Sequence, residues 1–200
     1  MEVQRHGGKL YEFASLHSSP DNAWEHELTG LTGAPGTGPC LSIVIPDAAP
    51  DDGPFTPMPA RHAFVRAGGG QVPWPVLTEF VDLVRAAGDL VAEPVLTAAD
   101  TALPLTLNAW EHDGRRYEVN QFHFADNGSW CYELHEVVPD STANHYIDVQ
   151  IPDTQPDGGP FVPAPSDRVT LTMHGDWTIP WPVFDRFLAA IRAAGDIVDP

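Results

Sequence analysis

The segment IPDAAPDDGPFTPMP at 45–59 recurs as IPDTQPDGGPFVPAP at 151–165, with the shared skeleton I-P-D-x-x-P-D-x-G-P-F-x-P-x-P. Outward from that segment the correspondence continues in both directions. His6 aligns with His112, Tyr11-Glu12 with Tyr117-Glu118, His17 with His123, Trp24 with Trp130, and Glu27-Leu28 with Glu133-Leu134. Toward the other end, and with a one-residue gap, VPWPV at 72–76 answers IPWPV at 179–183, and RAAGD at 85–89 is repeated at 192–196. The chain therefore reads as a tandem duplication: a first copy at 1–94, a linker at 95–106 (VLTAADTALPLT) without a counterpart, and a second copy at 107–200. A repeat of this length makes each copy one folding module, and two such modules commonly bury a face against each other.

Within each copy the hydrophobic period is first that of strands and then that of a helix. Gly7-Gly8 and Asp113-Gly114 lie between alternating runs, the chemistry of a two-residue hairpin loop that needs positive φ at both positions. This predicts strand one near 1–6 and strand two near 9–17. Trp24, His26 and Leu28, matched by Trp130, Tyr132 and Leu134, alternate as strand three, which sets Trp24 beside His17 and Trp130 beside His123. Strand four is expected at 41–45 and 147–151, strand five at 61–67 and 167–173. After them Val76, Leu77, Phe80, Val81 and Val84 recur at helical spacing, as do Val183, Phe184, Phe187, Leu188 and Ile191. Pro75 and Pro182 suit a first helical turn, and Gly88 and Gly195 the position past the last. The expected class is α+β: two tandem copies of a five-stranded antiparallel meander followed by one amphipathic helix, arranged as a pseudo-twofold pair. Such a chain is an intramolecular pseudo-dimer and is expected to be monomeric.

Charge narrows the functional classes. Among 200 residues, 28 are acidic and 10 basic, giving a formal charge of −18. That balance disfavours nucleic acid and anionic membrane surfaces, both of which are held chiefly through Lys and Arg. The acidity is shared between the copies rather than collected in a tail. No secretory apolar segment stands at the start and no run is long enough to cross a bilayer, so a cytoplasmic protein is expected. Cys40 and Cys131 form no CxxC pair or disulfide framework and read as small buried side chains.

Screens for chemistry are mostly negative. There is no G-x-S-x-G, no H-E-x-x-H and no complete phosphate loop; GAPGTGPC at 33–40 lacks the Lys and Ser/Thr of one. His6 and His17, like His112 and His123, lie at opposite ends of strand two, so they do not converge on an ion, and the loop aspartates lack EF-hand spacing. No catalytic residue, metal site or cofactor is therefore expected. The positive pattern is the sheet face opposite the aromatics, where Glu12, Glu25 and Glu27 of the first copy and Glu118 and Glu133 of the second are expected to point to solvent. Carboxylates on a rigid sheet steer a basic partner. The proline-stiffened loops add Phe55 and Phe161, which such a loop can hold in place as aromatic anchors.

These features make a non-enzymatic acidic protein-binding module the leading expectation, of inhibitor, immunity or adaptor type. It would recognise a basic protein or peptide through Glu12, Glu27, Glu118, Glu133, Phe55 and Phe161. The alternative expectation is an enzyme or small-molecule binder with a His/carboxylate pocket between the two repeats.

Overall fold

The computed structural model describes residues 2–31, 40–50, 53–91, 109–124, 128–138, 145–156, 159–175 and 177–199. The linker at 95–106, most of the glycine-rich stretch at 33–40, and loop residues 51, 52, 157 and 158 lie outside the described residues.

The first half contains β1 (Glu2–His6), β2 (Lys9–Ser18), β3 (Ala23–Gly30), β4 (Leu41–Pro46), β5 (Phe64–Ala67), β6 (Gly70–Pro73) and α1 (Trp74–Ala87). The second half runs through β7 (Ala109–His112), β8 (Arg115–Phe124), β9 (Ser129–Glu136), β10 (Tyr146–Pro152), β11 (Thr170–His174), β12 (Thr178–Pro180) and α2 (Trp181–Ala194). The protein is α+β, with two six-stranded antiparallel sheets and two helices. No described helix is long and apolar enough to cross a membrane.

Local signals decide the hairpins and helices. Gly7 and Gly8 adopt φ of +53° and +79°, and Asp113 and Gly114 +49° and +74°, the double positive-φ turn that matches strand twist. The aromatic pairs form in the expected register, His17 opposite Trp24 and His123 opposite Trp130. Each helix begins on a Trp-Pro pair and ends at a left-handed glycine, Gly88 or Gly195, whose amide bonds back to Arg85 or Arg192. Phe80, Leu77 and Val81 of α1, and Phe184, Phe187 and Leu188 of α2, are buried in a core that is continuous through both sheets. Each such side chain contributes about 1.5–3 kcal/mol by leaving water.

The meanders have six strands per half where five were expected, and the sixth does not stay with its own half. β6 pairs with β11 of the second sheet, Val72 opposite Leu171, while β12 pairs with β5 of the first, Ile179 opposite Val65. The strand orders are β1-β2-β3-β4-β5-β12 and β6-β11-β10-β9-β8-β7. Gly69 and Gly70, with φ of +83° and +98°, turn the chain away from β5 instead of letting it fold back on that strand. The helix starts are bound across the halves too: the Trp74 amide donates to the Val169 carbonyl at 2.9 Å, and the Trp181 amide to the Ala63 carbonyl at 2.9 Å. Each helix then covers the sheet of its own half. Phe80 packs 5.7 Å from Phe13, and Arg186 lies 5.1 Å over the ring of Trp110. Between the helices Arg85 pairs with Asp185 and stacks over Trp181, while Arg192 stacks over Trp74.

Candidate functional site

The proline-rich loops are internally stitched. Asp47 Oδ1 accepts the amides of Ala49 at 2.9 Å and Thr56 at 3.1 Å; Asp153 Oδ1 accepts those of Gln155 at 2.8 Å and Val162 at 3.2 Å. This returns Phe55 to within 5.7 Å of the Trp24 ring and Phe161 to within 6.0 Å of Trp130, both phenyl rings partly buried against the core. The phenylalanines thus pack on the strand-three tryptophans at one end of each sheet.

Glu12 and Glu27 occupy the outer face of the first sheet, both half-buried. Glu25 was expected to face solvent beside them, yet it is 5% exposed, because Arg66 reaches across from β5 and pairs with it at 3.0 Å. The same guanidinium holds Asp21 at 3.1 Å, and that hydrogen bond keeps the Asp21 carboxyl below its ordinary range. Burial pushes the Glu27 carboxyl up, as do Glu25 and, less strongly, Glu12, against the pull of Arg66. Much of the negative charge on this face is therefore already answered from within.

The second sheet differs. Glu118 and Glu133 are half-buried on its outer face. Arg116 holds Glu118 at 2.7 Å, whereas Glu133 has no cation of Lys or Arg type paired to it among the described residues; its near neighbours are Asn120 at 3.5 Å and His135 Nδ1 at 3.6 Å. Glu133 lines an open cleft of about 650 Å³ together with Arg115, His135, Glu136, Tyr146 and Trp177. Arg115 and Glu136 face each other at 3.5 Å, which leaves the Glu133 carboxylate as the uncompensated charge when the histidines are neutral. Next to Glu133 on the same face, Asp148 is buried, contacts His174 at 2.6 Å, and sits opposite Glu133 in the β9–β10 register; the His174 ring stacks on Tyr146 at 4.1 Å. Burial pushes the Tyr146 hydroxyl up, helped by Asp148 and Glu133, and pushes the neighbouring Cys131 thiol up to about 12. His135 Nδ1 and Trp177 Nε1 are buried without a hydrogen-bond partner.

Of the residues singled out in the sequence, the structure brings Glu133 into this cleft and sets Glu118 on the same face, with its carboxylate 3.9 Å from the far nitrogen of His135. Glu12 and Glu27 lie together on the other sheet, and Phe55 and Phe161 stand apart from both. Sequence reasoning missed His135, Tyr146 and Trp177. Trp177 lies in the stretch where the internal alignment needs its one-residue gap, and that irregularity was the available signal. The lining residues all come from the second half of the sequence, but Thr178 begins β12, which pairs with β5 of the first sheet, and the Trp177 carbonyl accepts the Ala67 amide at 3.0 Å. Among the described residues no group of three or more His, Cys, Asp or Glu is placed to hold a metal ion. Compared with known proteins, the chain matches no family model, no curated protein and no solved structure.

Proposed function

We propose that the chain is a duplicated α+β module, its copies set as a pseudo-twofold pair, that acts as an acidic protein-binding module of inhibitor, immunity or adaptor type. It recognises a basic surface, and one basic side chain of the partner enters the cleft on the second sheet. The observation that carries this reading is the Glu133 carboxylate, uncompensated by Lys or Arg in a concave site walled by Tyr146 and Trp177. A guanidinium or ammonium group gains there both a carboxylate and aromatic faces. The net charge of −18 raises the encounter rate with such a partner from a distance. Two free cysteines suit a reducing compartment, and the reading places the protein in the cytoplasm.

The test is binding of an arginine-rich and a glutamate-rich synthetic peptide by calorimetry at low and high salt. The arginine-rich peptide alone should bind, its affinity falling as salt rises, and Glu133→Gln should weaken it by about tenfold or more. Equal binding of both peptides, or indifference to salt and to the substitution, would remove the proposal. A second reading is favoured by the unpartnered His135 and Trp177 nitrogens: the cleft holds a small polar ligand carrying both a cation and an acceptor. Stabilisation by free arginine, lost in Glu133→Gln, would support that version.

A further inference from the structure

Ser15 and His26 stand opposite each other on β2 and β3, on the face that α1 covers. The Ser15 hydroxyl oxygen lies 2.8 Å from His26 Nδ1, and His26 Nε2 lies 3.3 Å from Asp89 Oδ2, in the segment just past the end of α1, a close charge contact that falls short of hydrogen-bond geometry. The imidazole is 4% exposed, whereas Ser15 is open to solvent. A carboxylate beside Nε2 favours the tautomer with its proton there, which leaves the Nδ1 lone pair to accept the serine proton. Burial lowers the readiness of His26 to take up a proton from water, against the pull of Asp89, so the base is free near neutral pH.

Two further features complete the arrangement. A cavity of about 250 Å³ adjoins Ser15, with apolar walls from Phe13, Phe80, Leu83 and Val84. The Leu31 amide donates to the Leu10 carbonyl at 2.8 Å, so the even-numbered positions of β2 bond toward β3 and the odd-numbered amides point the other way. Pairing with β1 ends at Phe13 opposite Glu2, and the Ser15 amide therefore meets no described strand. A backbone amide at the nucleophile that points away from β3 is the kind of donor that stabilises an oxyanion.

The second half isolates the parts. Gln121, Tyr132 and Asp196 stand where Ser15, His26 and Asp89 stand in the first, and the Tyr132 hydroxyl donates to Asp196. A contact between β3 or β9 and the aspartate after the helix thus ties the layers in both halves. That tie requires neither a serine nor an imidazole.

We propose that Ser15 is a nucleophile, with His26 as its base and Asp89 as a positioning residue, which accepts the acyl group of small apolar esters. In the step, Ser15 Oγ forms a bond to the ester carbonyl carbon and its proton passes to His26 Nδ1. The carbon–oxygen bond to the leaving alcohol then breaks and that oxygen takes the proton, giving acyl-Ser15 and free alcohol. Water repeats the sequence to release the carboxylic acid and restore Ser15. This site lies on the other sheet from the cleft and does not depend on the binding proposal.

The experiment uses the full chain with p-nitrophenyl butyrate and, separately, a fluorophosphonate probe. The expected result is a burst near one equivalent of nitrophenol and an adduct that mass spectrometry places on Ser15. Ser15→Ala, at an exposed position, should keep the melting temperature and lose the burst. His26→Tyr, which reproduces the tie of the second half, should fold and label at least about 100-fold more slowly. Asp89→Asn should move the pH midpoint of labelling downward, a change that loss of a tether alone would not produce. An adduct elsewhere, no adduct, or a Ser15→Ala variant that reacts like the parent overturns the proposal.

Discussion

The Tyr132 hydroxyl donates to the Asp196 carboxylate and so fastens the middle of the second sheet to the segment just past α2. Burial pushes that phenol well above its ordinary range, and Asp196 adds to the effect, so the hydroxyl is a donor at neutral pH. Tyr132→Phe leaves the carboxylate without its donor and should cost about 1–2 kcal/mol in urea unfolding at neutral pH.

The corresponding contact in the first half, His26 with Asp89, responds to acid. Burial lowers the His26 pKa in the folded state below its ordinary 6.5, so the unfolded chain takes up the proton first. The stability associated with neutral His26 is fully present above about 6.5 and is lost as pH falls from there through the lower folded value. Urea midpoints between pH 8 and pH 5 should fall more steeply for the parent than for His26→Gln. Parallel slopes would show that His26 is not held neutral.

The exchanged strands should make the halves interdependent. Ile179→Asp puts a carboxylate at a fully buried position opposite Val65 on the other half's edge and should cost more than about 3 kcal/mol. Fragments 1–94 and 107–200 should each dimerise or fail to fold alone, and regain the parent circular dichroism when mixed. Two monomeric, cooperatively melting fragments would contradict the observed pairing.

Cys131 is fully buried, with its thiol pushed up to about 12 by burial and then by Asp148 and Glu133. A thiolate is the reactive form. Titration with a disulfide reagent at pH 8 should therefore consume at most one thiol per native chain, that of Cys40, and two after denaturation.

Gly128 has φ of +63°, and a Cβ there would come within 2.6 Å of Pro156 Cβ, an atom held in a ring. Gly128→Ala should lower stability by more than about 1 kcal/mol. Gly8→Ala, in open space at a strained φ, should cost less. Thermal melts of the pair check the order.

What the sequence made legible is what short segments decide alone. The Gly7-Gly8 and Asp113-Gly114 turns set the register of the first hairpin in each half, the turn at Pro20-Asp21-Asn22 sets the one that puts His17 beside Trp24, and the spacing of Val76, Phe80 and Val84 marks the helix. β6 was illegible because Gln71-Val72-Pro73 is too short to show a period, and its partner, β11, lies about a hundred residues away. Glu25 was misplaced for a related reason: alternation fixed which face it points to, but its burial depends on Arg66, two strands away across β4. The cleft depends likewise on Trp177, whose position follows from the departure of β12 to the other sheet. The Ser15–His26 pair was within reach, since the register that pairs His17 with Trp24 also pairs residue 15 with residue 26.

The exchange also sets an order of events during synthesis. When residues 1–94 have left the ribosome, the β5 edge of the first sheet lacks its neighbour, and β6 has no sheet to join until residues 170–174 emerge. Nascent chains meeting on one polysome could complete each other's edges at that stage, so the tether between halves works against mispairing by supplying the correct strand at the highest local concentration.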